Sequence, residues 1–464
     1  MTKRLVRIIA VGLLMAAIFA PLHVRADVAP PAQPPGANPE AGAEGTQVRM
    51  MAETVVIEVL PGTSANDLGQ AKVTADFTMR NLGSETEKMA ARFPLSVNDG
   101  FGRFPEIRAL QISVNGRTVA TRRVMQEDPL WSYDLVPWAE FDVTFPAGQD
   151  VTIQVTYLIY GTGEYPFVSY SYIFHTGEGW KDTIGRADLI VRLPYEASPQ
   201  NVILGETTGW SETTPGGRMD GNEIRWRFDD FEPTRENDFE ISLVMPSVWQ
   251  KVLNERTNVA ANPNDGEAWG RLGKLYKEAF FYRRGFRQDA GGEELYRLSV
   301  EAYEKAVALL PDDGLWHAGF ADLLAVHAYY VSWEGGDATA EALRSMQEIH
   351  RALELAPNDP KVKEIAEKIY YFFPDAVNLL ESGYDFLWLT ATPLPSPPTI
   401  APTLEPTATP EAESTPIATV SAVPTREASP NPTPVPSSAG SPLCGSAVLI
   451  PLALVWLRRR RAYS

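Results

Sequence analysis

The sequence holds one cysteine in 464 residues, Cys444, close to its C-terminal end. The rest of the chain therefore has neither a disulfide nor a thiol nucleophile. Histidine is nearly as scarce: His23, His175, His317, His327 and His350 are the five, and none falls at metal-ligand spacing. No Gly-rich phosphate loop precedes a helix, and there is no Gly-x-Ser-x-Gly elbow or His-Glu-x-x-His. Carboxylate pairs such as Asp229-Asp230 and Asp312-Asp313 sit where turns are expected, and acidic turn residues are usually solvated. A serine triad can be scattered along a chain, but nothing here points to one. The expectation is a chain with no catalytic residues, no cofactor and no metal.

Positive charge is also in short supply. The formal net charge is −18. Eight of the 41 basic residues lie at the two ends (Lys3, Arg4, Arg7, Arg25 and Arg458 to Arg461), leaving 33 against 59 acidic residues, or −26. A nucleic-acid partner would bind against that field and is excluded.

The ends carry addresses. Lys3, Arg4 and Arg7 precede an apolar run, Ile8 to Phe19, and the small-residue site Val24-Arg25-Ala26. This is the layout of a secretory signal over 1–26. Export without disulfides, in a chain with no Asn-x-Ser/Thr sequon, points to a bacterial protein. Residues 27–45 read as a disordered Ala/Pro/Gly spacer. At the other end, 392–442 is a Pro/Thr/Ser-rich stalk, and its 51 residues extend to ~150 Å as polyproline-like chain. The segment 443–464 has a 15-residue apolar run ending at Arg458 to Arg461. As a helix it spans about 22 Å, short of the ~30 Å hydrocarbon core. It resembles bacterial C-terminal sorting signals, with Cys444 and Gly445 at the processing position, although no Leu-Pro-x-Thr-Gly is present. The reading is an exported protein at the cell membrane or cell surface, its bulk outside and Arg458 to Arg461 cytoplasmic.

Between the ends the hydrophobic period changes once. From 46 to 247 the chain shows short β-branched and aromatic runs bounded by turn residues. Examples are Thr54 to Val59, Ala71 to Met79, Phe141 to Phe145, Val151 to Ile159, Ala187 to Leu193 and Glu223 to Phe228. Ala109 to Val114, then Asn115-Gly116, then Arg117 to Ala120 predicts a hairpin with a type I′ turn. About ten such runs without an intervening amphipathic helix predict an antiparallel β-sandwich, one large or two small. Aromatic residues crowd its second half: Trp131, Tyr133, Trp138, Tyr157, Tyr160, Tyr165, Phe167, Tyr170, Tyr172, Phe174 and Trp180. They are either a platform for glycans or the filling of a sandwich core.

After Pro246 the period is helical. Trp269, Leu272, Gly273 and Tyr276 stand at the spacing W-x2-L-G-x2-Y, and Ser299, Tyr303, Ala306 and Pro311 follow at second-helix spacing. Phe320, Ala321, Ala352 and Pro357 repeat the pattern in a second unit. Small residues let paired helices approach, large ones fill the grooves, and proline ends the unit. The pattern resembles the tetratricopeptide repeat, and 255–372 is read as a short repeat domain closed by a capping helix. Such repeats commonly take peptide segments, so the resemblance implies protein or peptide partners. Residues 373–391 read as one more apolar helix.

Arg283, Arg284 and Arg287 locally reverse the acidic field and are a candidate contact for an anionic partner. Taken together, the sequence predicts a multidomain β + α protein of the cell surface. It would carry its β-sandwich and helical repeats on a stalk, without enzymatic activity, and would mediate protein–protein contacts. The competing readings are glycan binding by the aromatic β-region and, less favoured, a hydrolase. The membrane partner is engaged through 443–461.

Overall fold

Period-two alternation does in three dimensions what the sequence asks of it. In β1 (Val48–Val59), Val55, Ile57 and Val59 point inward and are buried, while their neighbours are half-buried on the opposite face. The computed structural model describes residues 45–390 apart from 63–67, 99–103, 132, 205–212, 284–289 and 382. For 282, 283 and 390 only the backbone is described. The signal peptide, the stalk, the tail with Cys444 and Gly445, and all but the end of the spacer lie outside the described residues. Among the described residues no helix is long and apolar enough to cross a membrane.

The remaining strands are β2 (Gln70–Asn81), β3 (Glu87–Pro94), β4 (Arg108–Val114), β5 (Arg117–Thr118), β6 (Arg122–Glu127), β7 (Leu135–Phe145), β8 (Asp150–Tyr160) and β9 (Phe167–Tyr172). They are followed by β10 (Ile184–Arg192), β11 (Val202–Ile203), β12 (Arg218–Asp220), β13 (Glu223–Phe231) and β14 (Phe239–Val244). Eight strands form one sheet in the order β12-β13-β10-β1-β2-β8-β4-β5. Two three-stranded sheets, β3-β7-β6 and β11-β14-β9, contribute to the same core. Phe93, Phe141 and Phe145 from the first, and Tyr170, Tyr172 and Phe239 from the second, share it with Val55, Phe77 and Leu189 of the large sheet. The β-region is therefore one unit, an eight-stranded sheet sharing a single core with two small sheets. It is not wholly antiparallel as expected: β1 and β10 run parallel, with Glu53 opposite Ala187. At that junction Gly185 lies so close to the bulged stretch of β1 that a Cβ would stand 2.5 Å from the Met51 carbonyl oxygen. The expected turn at Asn115-Gly116 is present, with φ of +48° and +73°.

The helices are α1 (Pro246–Ala261), α2 (Gly266–Arg283), α3 (Ala290–Leu309), α4 (Gly314–Trp333), α5 (Thr339–Leu355) and α6 (Pro360–Phe372). α2 packs with α3, and α4 with both α5 and α6. The recurring acidic turns between them are helix caps. Asp313 accepts from the amides of Leu315 and Trp316, and Asp359 from those of Lys361 and Val362. Asp265 likewise accepts from Ala268 N at 3.0 Å, so one structural need explains all three turns. α1 begins on Pro246, whose missing N–H costs nothing at a helix start. It buries Val248, Trp249 and Val252 in the core that the sandwich also fills, with the Trp249 ring 6.2 Å from that of Tyr195. That continuous core runs from Val48 to Leu324. The β-part and the helices are thus one unit, where the sequence suggested two modules.

The expected helix over 373–391 is not formed. Pro374 follows Phe373, which leaves the helix with φ −131° and ψ 63°, away from the helical region that a following proline disfavours. A hairpin of β15 (Val377–Leu380) and β16 (Gly383–Phe386) and a four-residue helix, α7 (Leu387–Thr390), take its place. Val377 and Phe386 cover the apolar faces of α5 and α6, with Ile349, Ile365 and Ile369.

Candidate functional site

α4 is apolar almost all round and buried on most faces, which places it at the centre of the helical layer. Apart from two histidines, its one charged residue is Asp322. The helices on either side each bring a lysine to it. Lys277 Nζ on α2 lies 3.1 Å from Asp322 Oδ2, and Lys368 Nζ on α6 lies 2.6 Å from Oδ1. The side chains of Asp322 and Lys277 are 7% and 11% exposed, and that of Lys368 is 34% exposed. Phe281 of α2 links the two cations: its ring centre is 5.6 Å from the Lys277 ammonium and 5.8 Å from that of Lys368.

Burial alone would raise the Asp322 pKa, but the two ammonium groups outweigh it and hold the carboxyl below its ordinary range. For Lys277 burial acts the other way. Tyr303 and Asp322 overcome it and lift the ammonium above its ordinary pKa. The donors of Lys277 are spent on Asp322, the Gly319 carbonyl at 3.1 Å and Tyr303. Lys368 spends one, on Asp322, among the described residues. Two cations on one carboxylate leave a surplus positive charge, carried by the more exposed lysine. On the α2 rim, Glu278 is occupied by Tyr165, whose hydroxyl donates to it at 2.7 Å from the β-part.

The residues singled out in the sequence have other duties. Leu272, Tyr276, Ser299, Tyr303, Ala306, Phe320, Ala321 and Ala352 are buried between helices. The Ser299 hydroxyl donates to Gly273 O at 2.7 Å, the Tyr303 ring stacks on Phe320, and Trp269 Nε1 donates to Pro263 O. Pro311 presents its carbonyl to His317, and Pro357 lines a surface cleft beside the terminal hairpin. The side chains of Arg283, Arg284 and Arg287 lie outside the described ones.

Of the two readings left open for the aromatic run, most of it takes the core-filling one. Trp138, Tyr157, Phe167, Tyr170, Tyr172, Phe174 and Trp180 are buried in the protein interior. Tyr133, 92% exposed, and Tyr165 stand apart from it on loops. Of the acidic pairs, Asp313 caps α4, Asp312 binds Arg351, Asp229 binds Arg227 and Asp230 binds Arg49. His175 is locked by Asp238 and the Pro129 carbonyl at 2.6 and 2.8 Å, so neither ring nitrogen is free to act as a base.

No protein-family model matches the chain. No curated protein matches it either. Among solved structures it is similar to a proposed nutrient-binding protein of Legionella pneumophila, at 17% identity and a TM-score of 0.41 over 58% of this chain and 99% of that one. It is also similar to a two-domain M1 zinc metallopeptidase, at 11% identity and a TM-score of 0.25 over 44% of each chain. A third likeness is an M1 zinc metallopeptidase of Deinococcus radiodurans, at 10% identity and a TM-score of 0.23 over 42% of each chain. The chain thus spans under half the length of these metallopeptidases. Among the described residues no three His, Cys, Asp or Glu side chains are grouped to hold a metal.

The expected role, mediating protein–protein contacts through the repeat and β regions, is corrected here. The solved structures it resembles are a proposed nutrient-binding protein and metallopeptidases, and its β-part and helices share one core.

Proposed function

We infer that the chain is a binding protein for a small organic anion, which it takes at the shelf formed by Lys368 and Lys277 over Phe281. One observation carries this reading: two ammonium groups share a single buried carboxylate, and the outer one keeps donors unspent among the described residues. An incoming carboxylate or phosphate would complete the charge balance at Lys368, and the Phe281 ring offers apolar contact beside it. In this reading the signal sequence exports the chain. The stalk holds the binding unit away from the membrane, and 443–461 anchors it there with Arg458 to Arg461 inside. The paired helices are tetratricopeptide-like and act as the frame of the site.

Calorimetric titration of the full mature chain with phosphate, succinate, citrate and glutamate tests the reading. Binding of at least one of them is expected, weakened about tenfold or more in Lys368→Gln, since a hydrogen bond to a charged group is worth about 1.5–3 kcal/mol. No heat with any of the four at millimolar concentration, or unchanged affinity in the variant, would refute it.

A further inference from the structure

A second buried charged cluster lies beside this shelf. His327 of α4 has a side chain only 8% exposed. Its Nδ1 is 2.5 Å from Glu341 Oε2 on α5, and its Nε2 is 3.5 Å from Glu293 Oε2 on α3. The Tyr296 ring of α3 stacks on the imidazole at 3.7 Å and 6°, and the Tyr296 hydroxyl donates to Glu341 Oε1 at 3.0 Å. Both ring nitrogens face carboxylates, so the charged imidazolium is the form that serves both. The other charged group of α5 near this cluster is Arg344, which pairs with Glu304 and acts on Tyr296. α2 contributes an apolar ring, Phe280, whose centre is 6.0 Å from His327 and 5.4 Å from Tyr296. The next residue of α2 is Phe281, which carries both shelf ammonium groups.

We propose that the His327 cluster is a pH latch: the charged ring clamps the first turns of α3 onto α4 and α5. Through the Phe280–Phe281 end of α2, it also holds the lysine shelf in its binding geometry. The second half of this proposal rests on the anion-binding reading of the shelf. Burial opposes the charge on His327, but the Glu293 carboxylate 3.5 Å from its Nε2 and the bond from its Nδ1 to Glu341 outweigh burial and raise its pKa above the ordinary value. The latch is therefore closed below the ordinary imidazole pKa, and it is lost as pH rises through the raised folded value. Beyond that point Glu293 and Glu341 approach a neutral ring with their charges unopposed, and α3 loosens at its start.

Hydrogen exchange of the 290–297 amides in the full chain, measured from pH 6 to 9 alongside NMR titration of the His327 ring, reads the latch without any ligand. After correction for the intrinsic pH dependence of exchange, protection is expected to fall as the ring loses its proton. In His327→Gln it is expected to be low and flat with pH. Unchanged protection while the ring titrates would overturn the latch. Succinate affinity over the same range reads the coupling. A decline on the order of fivefold is expected in the native chain, and none in His327→Gln. A decline of equal size in both would overturn the coupling. Where succinate gives no heat, the same series is run with phosphate, citrate or glutamate; absence of binding of all four at every pH would sink the anion site and the coupling with it, while exchange still decides the latch.

Discussion

Asp322→Ala removes the one carboxylate that holds two cations inside the helical layer, and its cost follows from the geometry. At 3.1 Å, the Lys277–Asp322 separation, Coulomb attraction is ~5 kcal/mol at an effective dielectric near 20. Lys277 cannot relax toward water, because its side chain is packed under Phe281 and Tyr303. Lys368, about a third exposed, can swing out, so its 2.6 Å contact is discounted for solvent screening. The expected loss is about 3–5 kcal/mol, the range for breaking a buried pair on one side.

The cost should be specific to breaking the pair. In Lys277→Met/Asp322→Leu both charges go, and recovery of most of the loss is expected, because apolar replacements of buried pairs are often neutral or better. The sign with pH is also set. The Asp322 carboxyl is held below its unfolded pKa, so its contribution is complete above the unfolded value and disappears as pH falls through the folded one. Urea denaturation of the native chain, Asp322→Ala and the double variant at pH 7 and again near pH 3 is the assay. A loss below about 1 kcal/mol at pH 7 would refute the argument, since so small a cost is that of an exposed pair. A double variant no more stable than Asp322→Ala would also refute it.

Three further outcomes are expected from the same measurements. Tyr157→Phe should leave the protein as stable or about 1 kcal/mol more stable, because the Tyr157 hydroxyl is buried without a hydrogen-bond partner among the described residues; a clear loss would expose a bond to that hydroxyl. Trp249→Ala should cost about 3–5 kcal/mol and lower the unfolding midpoint of the β-part and helices together, as their shared core requires; two separated transitions would contradict one core. The Glu348 carboxylate, 2.6 Å from His317, raises the His317 pKa against burial, so its contribution is complete below the unfolded pKa and fades as pH rises through the folded one. His317→Gln should remove that part of the pH dependence of the urea midpoint, and an unaltered profile would show that the pair contributes nothing.

Where one face of an element is buried and the other wet, the sequence was legible. The alternation in β1, β2 and β8 and the Asn115-Gly116 turn translate directly into strands and a hairpin, because each rule needs only neighbours in the chain. The edge pieces β11 and β12 have two and three residues, too short to show a period. The parallel β1–β10 pair depends on residues more than a hundred positions apart, and no local pattern encodes it. At 373–391 apolar composition outweighed the proline after Phe373, although that proline was the better guide. The aromatic run was open between surface and core because a tyrosine on a strand satisfies either. Burial decided it.

The lysine shelf was illegible for a different reason. Lys277, Asp322 and Lys368 are each ordinary residues on separate helices, about 45 positions apart. Nothing about either lysine marks it in the sequence. The mark was on Asp322: in twenty residues of otherwise apolar or aromatic helix, a lone carboxylate has to be compensated from a neighbouring helix once that helix is buried. Compensation by one lysine would have closed the balance and left a structural ion pair. Two lysines overshoot it, in a chain whose net charge is −18. A local surplus of positive charge set partly inside a protein of the opposite sign destabilises the empty state at that point. On the proposed reading it would also draw small anions, against the field of the acidic chain. That is why function is read at this cluster. The ion-pair networks of the β-part, such as Arg92 and Arg122 with Glu140 and Asp142, balance themselves and ask for nothing.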